Sequence, residues 1–313
     1  MGWSGTSKAY LSGLWVAVII FLYLTLLTDD NVNPSPSSAS ISMQSMQQRG
    51  KITAASSNVI DAVVYIAMGS AASGRLVEYS VGSLRNVGEW NGNVYVLTDH
   101  TSCFDELASE GSVNLVHVPK VSSVMEIKSI KANIFRHLPQ EVGTALYIDI
   151  DIVVAKSIRP FLNEVSAQLE HFKDVDMAAF LDAKGHFVGW CVGCEKWHTG
   201  ILLLFRERGA NCLEVWGSTI LSKRYETDQE SLDEAEISGA CSKILPFTSS
   251  NLLFAKDYLA MAFTSGSVFW HVTAGARLEE QDSFYGKLVV PYLRYYLQDK
   301  VDSGILNKSK MCA

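Results

Sequence analysis

The run Ala145–Val154, ALYIDIDIVV, constrains this chain more than any other stretch of its sequence. Apolar residues flank Asp149 and Asp151 on both sides, so the segment reads as a strand carrying two carboxylates at its end. Side-chain direction repeats every two residues along an extended chain, and the expectation is that both carboxylates share one side. Two like charges in apolar surroundings repel and resist burial. A hard divalent cation, Mn2+ or Mg2+, relieves both problems, because such ions prefer oxygen ligands and share them with substrate phosphates. In open α/β sheets ligands bind beyond the carboxyl ends of strands, which is where this pair falls. The alternative is two ordinary aspartates at a solvated strand end.

The neighbouring sequence supplies the rest of such a sheet. Ala62–Met68, Asn93–Thr98 and Val113–Val118 read as three earlier strands, and Met177–Leu181, Gly200–Phe205 and Val268–Val272 as later ones. Arg75–Val87 has helical spacing. Ser122–Leu138 carries apolar residues at 124, 127, 130, 134 and 138, a helical stripe that stops at Pro139. Strands alternating with helices predict an α/β fold, a mainly parallel sheet flanked by helices. No internal repeat is visible.

The motifs and their order make the pattern more specific. Lys131 stands eight residues before Pro139, ahead of the strand Ala145–Val154. His198-Thr199-Gly200-Ile201-Leu202-Leu203, Thr227-Asp228-Gln229-Glu230-Ser231-Leu232 and Val268-Phe269-Trp270-His271-Val272-Thr273-Ala274-Gly275 follow. This series resembles glycosyltransferase family 8 and its GT-A relatives, the group of glycogenin, galactinol synthase and bacterial galactosyltransferases. The resemblance covers roughly residues 60–280. It implies a GT-A (Rossmann-like) fold and a nucleotide-diphosphate-sugar donor, a UDP-sugar. The metal ligands it implies are Asp149, Asp151 and His271, for Mn2+ or Mg2+. Lys131, Thr199 and Gly200 become donor contacts, as does Gly275; Asp228 and Gln229 fall near the anomeric carbon. Asp99, after the second strand, is placed as a base or ribose contact. Two departures stand out: His198 occupies a position where the family has Asn, and one extra residue separates His271 from Gly275. Each motif also has a bland reading: a solvated helix lysine at 131, a capped helix start at 227–230, and a core histidine at 271.

The N-terminal region fixes a location. Ala9–Leu27 contains no charged residue and would span about 28 Å as a helix, the thickness of bilayer hydrocarbon. Lys8 precedes it, while Asp29 and Asp30 follow, so the positive-inside tendency leaves a cytosolic tail at 1–8 and the rest in the lumen. A cleaved signal peptide is the rival, but no small-x-small site directly follows the apolar run. Residues 28–57 are rich in Ser, Asn and Gln, with Pro34 and Pro36, and read as a flexible stem before a catalytic domain at 58–313. The expectation is a single-pass type II protein of the Golgi or ER membrane. Six cysteines allow pairing in an oxidising lumen, with partners left open. Cys191-x-x-Cys194 lacks a second ligand pair for zinc and reads as a local disulfide or two thiols. Phe187, Trp190 and Trp197 offer either a sugar-stacking platform or a small satellite core. Asn307-Lys308-Ser309 is an N-glycosylation sequon.

Net charge is −7, with no dense Lys/Arg run, so nucleic acid is not an expected partner. The expected reaction moves a sugar to a hydroxyl of a glycan, protein or small molecule, with retention implied by the resemblance. Two other classes compete. A haloacid dehalogenase-type aspartyl-phosphate hydrolase also uses a DxDx[TV] strand, with Asp149 as nucleophile, but there the motif follows the first strand of the domain. A GT-A-like protein that kept its pocket and lost turnover would be a membrane-tethered binding module.

Overall fold

The apolar run expected as a first strand forms β1 (Ala62–Ala67), with every residue buried. The computed structural model describes residues 59–69, 76–109, 112–182, 196–254 and 267–271. β2 (Asn93–Thr98) and β3 (Val113–His117) pair parallel beside β1, and β4 (Thr144–Ile148) pairs parallel on its other side. β7 (Lys196–Phe205), β6 (Met177–Asp182) and β8 (Ile244–Phe247) complete a 7-stranded sheet in the order β3-β2-β1-β4-β7-β6-β8. Among its described strands β7 alone runs against the rest, antiparallel to both β4 and β6. The mainly parallel sheet expected from the sequence is therefore present.

Strand alternation divides the interior into two cores. Val63, Tyr65, Leu146 and Ile148 face one layer, while Val64, Ile66, Ala145 and Tyr147 face the other. Helices α1 (Leu76–Asn86) and α4 (Arg159–His171) contribute Val77, Val81, Leu84, Phe161 and Val165 to the first. The second receives Ile130 from α3 (Val124–Ala132), Trp216 from α5 (Ala210–Leu221) and Leu232 from α6 (Asp228–Ile237). A short helix, α2 (Asp105–Ala108), precedes β3.

Two expectations need correction. The strand Ala145–Val154 is not continuous: β4 ends at Ile148, and β5 (Ile152–Val154) belongs to a second, 3-stranded sheet. A turn joins them, closed by the Ile152 N–H donating to the Asp149 carbonyl at 3.1 Å. Asp149 and Asp151 thus flank a turn rather than sharing one side of a strand. The cause is competition for pairing. β5 leaves the main sheet to pair antiparallel with β10 (Phe269–His271), which also pairs parallel with β9 (Leu252–Phe254). Two buried serines of α1 secure the departure: Ser80 donates to the Ile152 carbonyl, and Ser83 Oγ accepts the Val154 N–H at 2.9 Å.

The helix expected over Ser122–Leu138 ends at Ala132, and Ile134–Arg136 forms a 3-10 turn. Ile134 and Leu138 remain buried although the α-helix has stopped. The Arg206 guanidinium collects the carbonyls of Phe135, Leu138, Pro139 and Val142, satisfying groups that a continuing helix would have paired.

Cys212 of α5 and Cys241, just beyond α6, form a disulfide and are both fully buried. Among the described residues no helix is long and apolar enough to cross a membrane. The span at 9–27, the stem at 28–57, Cys191-x-x-Cys194, Phe187, Trp190, Gly275 and the sequon lie outside the described residues.

Candidate active site

The site forms where β4 and β7 meet α3 and α6. Helix α3 begins with a capping box: the Ser123 side chain accepts the Glu126 N–H, and Glu126 reaches back to the Ser123 N–H. That fixed start places Lys131 in the last turn, with its side chain inside the protein. Its Nζ lies 3.1 Å from Asp149 Oδ1 and 2.9 Å from Asp228 Oδ2, donates to the Thr199 carbonyl at 3.3 Å, and sits 5.1 Å from the centre of the Tyr147 ring.

Asp228 is the first residue of α6, behind a second capping box made by Thr227 and Glu230. Its Oδ2 also accepts from Thr199 Oγ1 at 2.8 Å, its Oδ1 stands 3.4 Å from Lys128 Nζ, and its carbonyl accepts from Trp216 Nε1 at 2.9 Å. Helix α3, strand β7 and helix α5 therefore all hold this one residue. Gln229 follows it, half-buried, in the first turn.

Asp149 continues directly from β4. Its N–H donates to the Gly200 carbonyl at 2.7 Å, and its Oδ1 accepts from the Tyr147 hydroxyl. Gly200 leaves room there: a Cβ would come within 2.9 Å of Asp149 Oδ2 and 2.5 Å of His198 Cε1 and would displace those side chains. Across the turn, Asp151 Oδ2 lies 3.3 Å from His271 Nε2. The β5–β10 register causes this meeting, because it sets His271 opposite Ile152. The His198 and His271 rings are 5.0 Å apart between centres.

Electrostatics separate these groups. Burial opposes charge on Asp228, but Lys131 and Lys128 outweigh it and hold the carboxyl well below the usual range. Burial likewise opposes charge on Lys131, and Asp149 and Asp228 overcome it, so the ammonium is held above its ordinary value. Asp151 is lowered, as His271 wins against burial, and His271 is raised by Asp151 against the same penalty. Asp149 goes the other way. Burial raises it, Lys131 offsets this only in part, and Asp151 and Asp228 add repulsion. Lys131 is shared between two carboxylates and serves Asp228 at the shorter distance, which leaves Asp149 with unmet negative charge.

The chemistry of this donor set suits Mn2+ or Mg2+: two carboxylates, one of them short of positive charge, and an imidazole. Gly200 keeps open the space beside Asp149 Oδ2 that a Cβ would take. As arranged, no three His, Cys, Asp or Glu side chains among the described residues stand close enough together to hold an ion. Asp149 is turned to Lys131 and Tyr147, and Asp151 to His271.

Of the residues singled out in the sequence, Lys131, Asp149, Thr199 and Asp228 form one bonded cluster, Gly200 joins it through the backbone, and Asp151 with His271 forms a second pair. Asp99 lies elsewhere on the same end of the sheet, where its buried carboxylate accepts the Gly69 N–H at 2.9 Å and fixes the end of β1. Tyr147, Lys128 and Trp216 were not anticipated. Spacing offers a signal for two of them: Tyr147 lies two residues before Asp149, and Lys128 lies one helical turn before Lys131.

No family model matches this chain, and no curated protein matches it by sequence. Solved structures do match. The galactosyltransferase LgtC, in complex with donor and acceptor sugar analogues, superposes with a TM-score of 0.52 at 12% identity, over 76% of this chain and 96% of LgtC. An active-site mutant of LgtC gives 0.51 at 12% identity, over 76% and 95%. The glycosyltransferase GlyE of Streptococcus pneumoniae TIGR4 gives 0.49 at 15% identity, over 79% of this chain and 63% of GlyE. The fold is thus shared with the galactosyltransferase LgtC. This architecture sets the Asp pair after the fourth strand, unlike the haloacid dehalogenase arrangement considered above.

Proposed function

We propose that this protein is a metal-dependent glycosyltransferase that moves a sugar from a nucleotide-diphosphate sugar, a UDP-sugar, to a hydroxyl acceptor with retention of configuration. The observation that carries the reading is Lys131: a buried, charged lysine bridging Asp149 and Asp228 at the carboxyl end of β4, in a fold shared with a galactosyltransferase solved with donor and acceptor sugar analogues. Retention and kinship with family 8 rest on the motif order in the sequence.

Breaking a sugar–phosphate bond leaves negative charge on the departing diphosphate and positive charge at the anomeric carbon. Asp149, Asp151 and His271 would hold the cation, which when bound supplies Lewis-acid stabilisation of the diphosphate. Lys131 adds a preorganised positive charge in a water-poor site, the kind of contact worth about 3–4 kcal/mol in a transition state. Asp228 already engages two ammonium groups and a hydroxyl, so it orients Lys131 and meets the sugar as a fixed negative charge rather than as a nucleophile. Thr199 ties Asp228 to β7, and Gly200 keeps backbone and donor in close approach. Gln229, in the first turn of α6, is the remaining candidate contact for the sugar. The Cys212–Cys241 disulfide supports an oxidising compartment, and with the apolar run Ala9–Leu27 it supports a single-pass type II enzyme facing the Golgi or ER lumen.

The test uses the full chain in detergent with Mn2+, a panel of nucleotide sugars, and release of nucleoside diphosphate as the readout. Release from at least one UDP-sugar, abolished by EDTA, is expected. Full activity in EDTA would remove the metal from the reading. Absence of release and of binding across the panel would remove the function. Donor binding without any release would mark a pocket that has lost turnover.

A further inference from the structure

Lys128 and Lys131 lie one turn apart on α3, so they share a helix face. In an isolated helix two like charges so placed repel. One carboxylate reconciles them here. Asp228 gives Oδ2 to Lys131 at 2.9 Å and Oδ1 to Lys128 at 3.4 Å. The lysine side chains differ in exposure, 25% for Lys128 and 10% for Lys131, which puts Lys128 nearer solvent and Lys131 deeper. Thr199 Oγ1 shares Oδ2 with Lys131, leaving Lys128 as the charged partner of Oδ1.

The charge count shows what this arrangement does. Three carboxylates, Asp149, Asp151 and Asp228, stand beside two lysines. Without Lys128 one lysine remains for the three, and the buried Asp228 Oδ1 loses its charged partner. Lys131, already the nearer lysine to Asp228, is then the one lysine among the described residues left to serve both Asp149 and Asp228, and both oxygens of Asp228 compete for it.

We propose that Lys128 is a positioning residue of the donor pocket: by occupying Oδ1 of Asp228 it keeps Lys131 shared with Asp149 and available to the diphosphate of a nucleotide. The inference rests on the glycosyltransferase reading. Lys128 acts through Asp228 and Lys131 without touching the donor, so its loss affects diphosphate binding more than the chemical step.

The experiment compares wild type, Lys128→Met, Lys128→Arg, Asp228→Asn and the double variant Lys128→Met/Asp228→Asn, as full chains with Mn2+. UDP affinity is measured by calorimetry, and KM and kcat by hydrolysis of the accepted UDP-sugar. Lys128→Met keeps the apolar stem and should weaken UDP binding and raise KM about tenfold, the effect of roughly 1.4 kcal/mol, with kcat within about twofold. Lys128→Arg should restore affinity. In the Asp228→Asn background, Lys128→Met should change UDP affinity by less than about twofold, because the group it acts through is already neutral. A wild type that binds UDP beside an equally tight Lys128→Met overturns this inference alone. An undiminished tenfold loss in the Asp228→Asn background also overturns it, since Lys128 would then meet the donor directly. A wild type that neither binds UDP nor releases it from any donor overturns the functional reading and this inference with it.

Discussion

Asp149 and Asp228 touch the same ammonium group, and burial opposes charge on both, yet their carboxyls shift in opposite directions. Asp228 is held below the ordinary carboxylate range by two lysines, whereas burial and neighbouring carboxylates raise Asp149. The signs follow by linkage. A depressed carboxyl contributes stability above its unfolded value, about 3.9, and loses it as pH falls through the folded value. A raised carboxyl works in reverse: stability is present below the unfolded value and is lost as pH rises through the folded one. At neutral pH, Asp228→Asn should therefore lower the Tm of EDTA-treated protein, since breaking a buried ion pair costs about 3–5 kcal/mol. Asp149→Asn should leave that Tm unchanged or raise it by about 2–4 °C per kcal/mol gained, while abolishing Mn2+ binding. Scanning calorimetry with and without Mn2+ checks both; a large loss of stability in Asp149→Asn would contradict the charge balance described for the cluster.

At the scale of elements, the pair α5–α6 delivers Asp228. The Trp216 indole bonds the Asp228 carbonyl, and the disulfide joins Cys212 to Cys241, 29 residues apart, closing the segment that carries Asp228. A loop of that length contributes about 3–4 kcal/mol through the unfolded chain. Cys212→Ser/Cys241→Ser should lose stability on that order, and turnover should fall further than global unfolding explains; the comparison is kcat against the folded fraction from circular dichroism. Elements were legible in the sequence where periodicity was unbroken. Asn93–Thr98 is a strand as expected, and β1 and β3 fall within a residue of their expected bounds, because uniform apolar runs leave a strand little alternative. The Asp pair was legible as a candidate site, and its geometry was not. Nothing within ALYIDIDIVV announces that Ile152–Val154 will pair with Phe269–His271, over 100 residues later. Lys128 went unnoticed because a helix lysine ordinarily faces water. Among the described residues its charged partner arrives on α6, distant in sequence.

For the whole molecule, the turn between β4 and β5 has a mechanical consequence. Asp149 hangs from the large sheet and Asp151 from the small one, together with its partner His271. An ion gripped by all three would act as a further rivet between two plates that already meet through a short turn, the side chains of α1, a shared apolar core and the Phe180–Phe269 and His198–His271 ring contacts. Strands β5 and β10 should then exchange their amide hydrogens faster in EDTA than in Mn2+, while β1 and β4, buried in the large sheet, remain indifferent. Hydrogen exchange read by mass spectrometry at those four strands measures this. Equal protection of β10 in both conditions would mean that the plates are already fastened without the rivet.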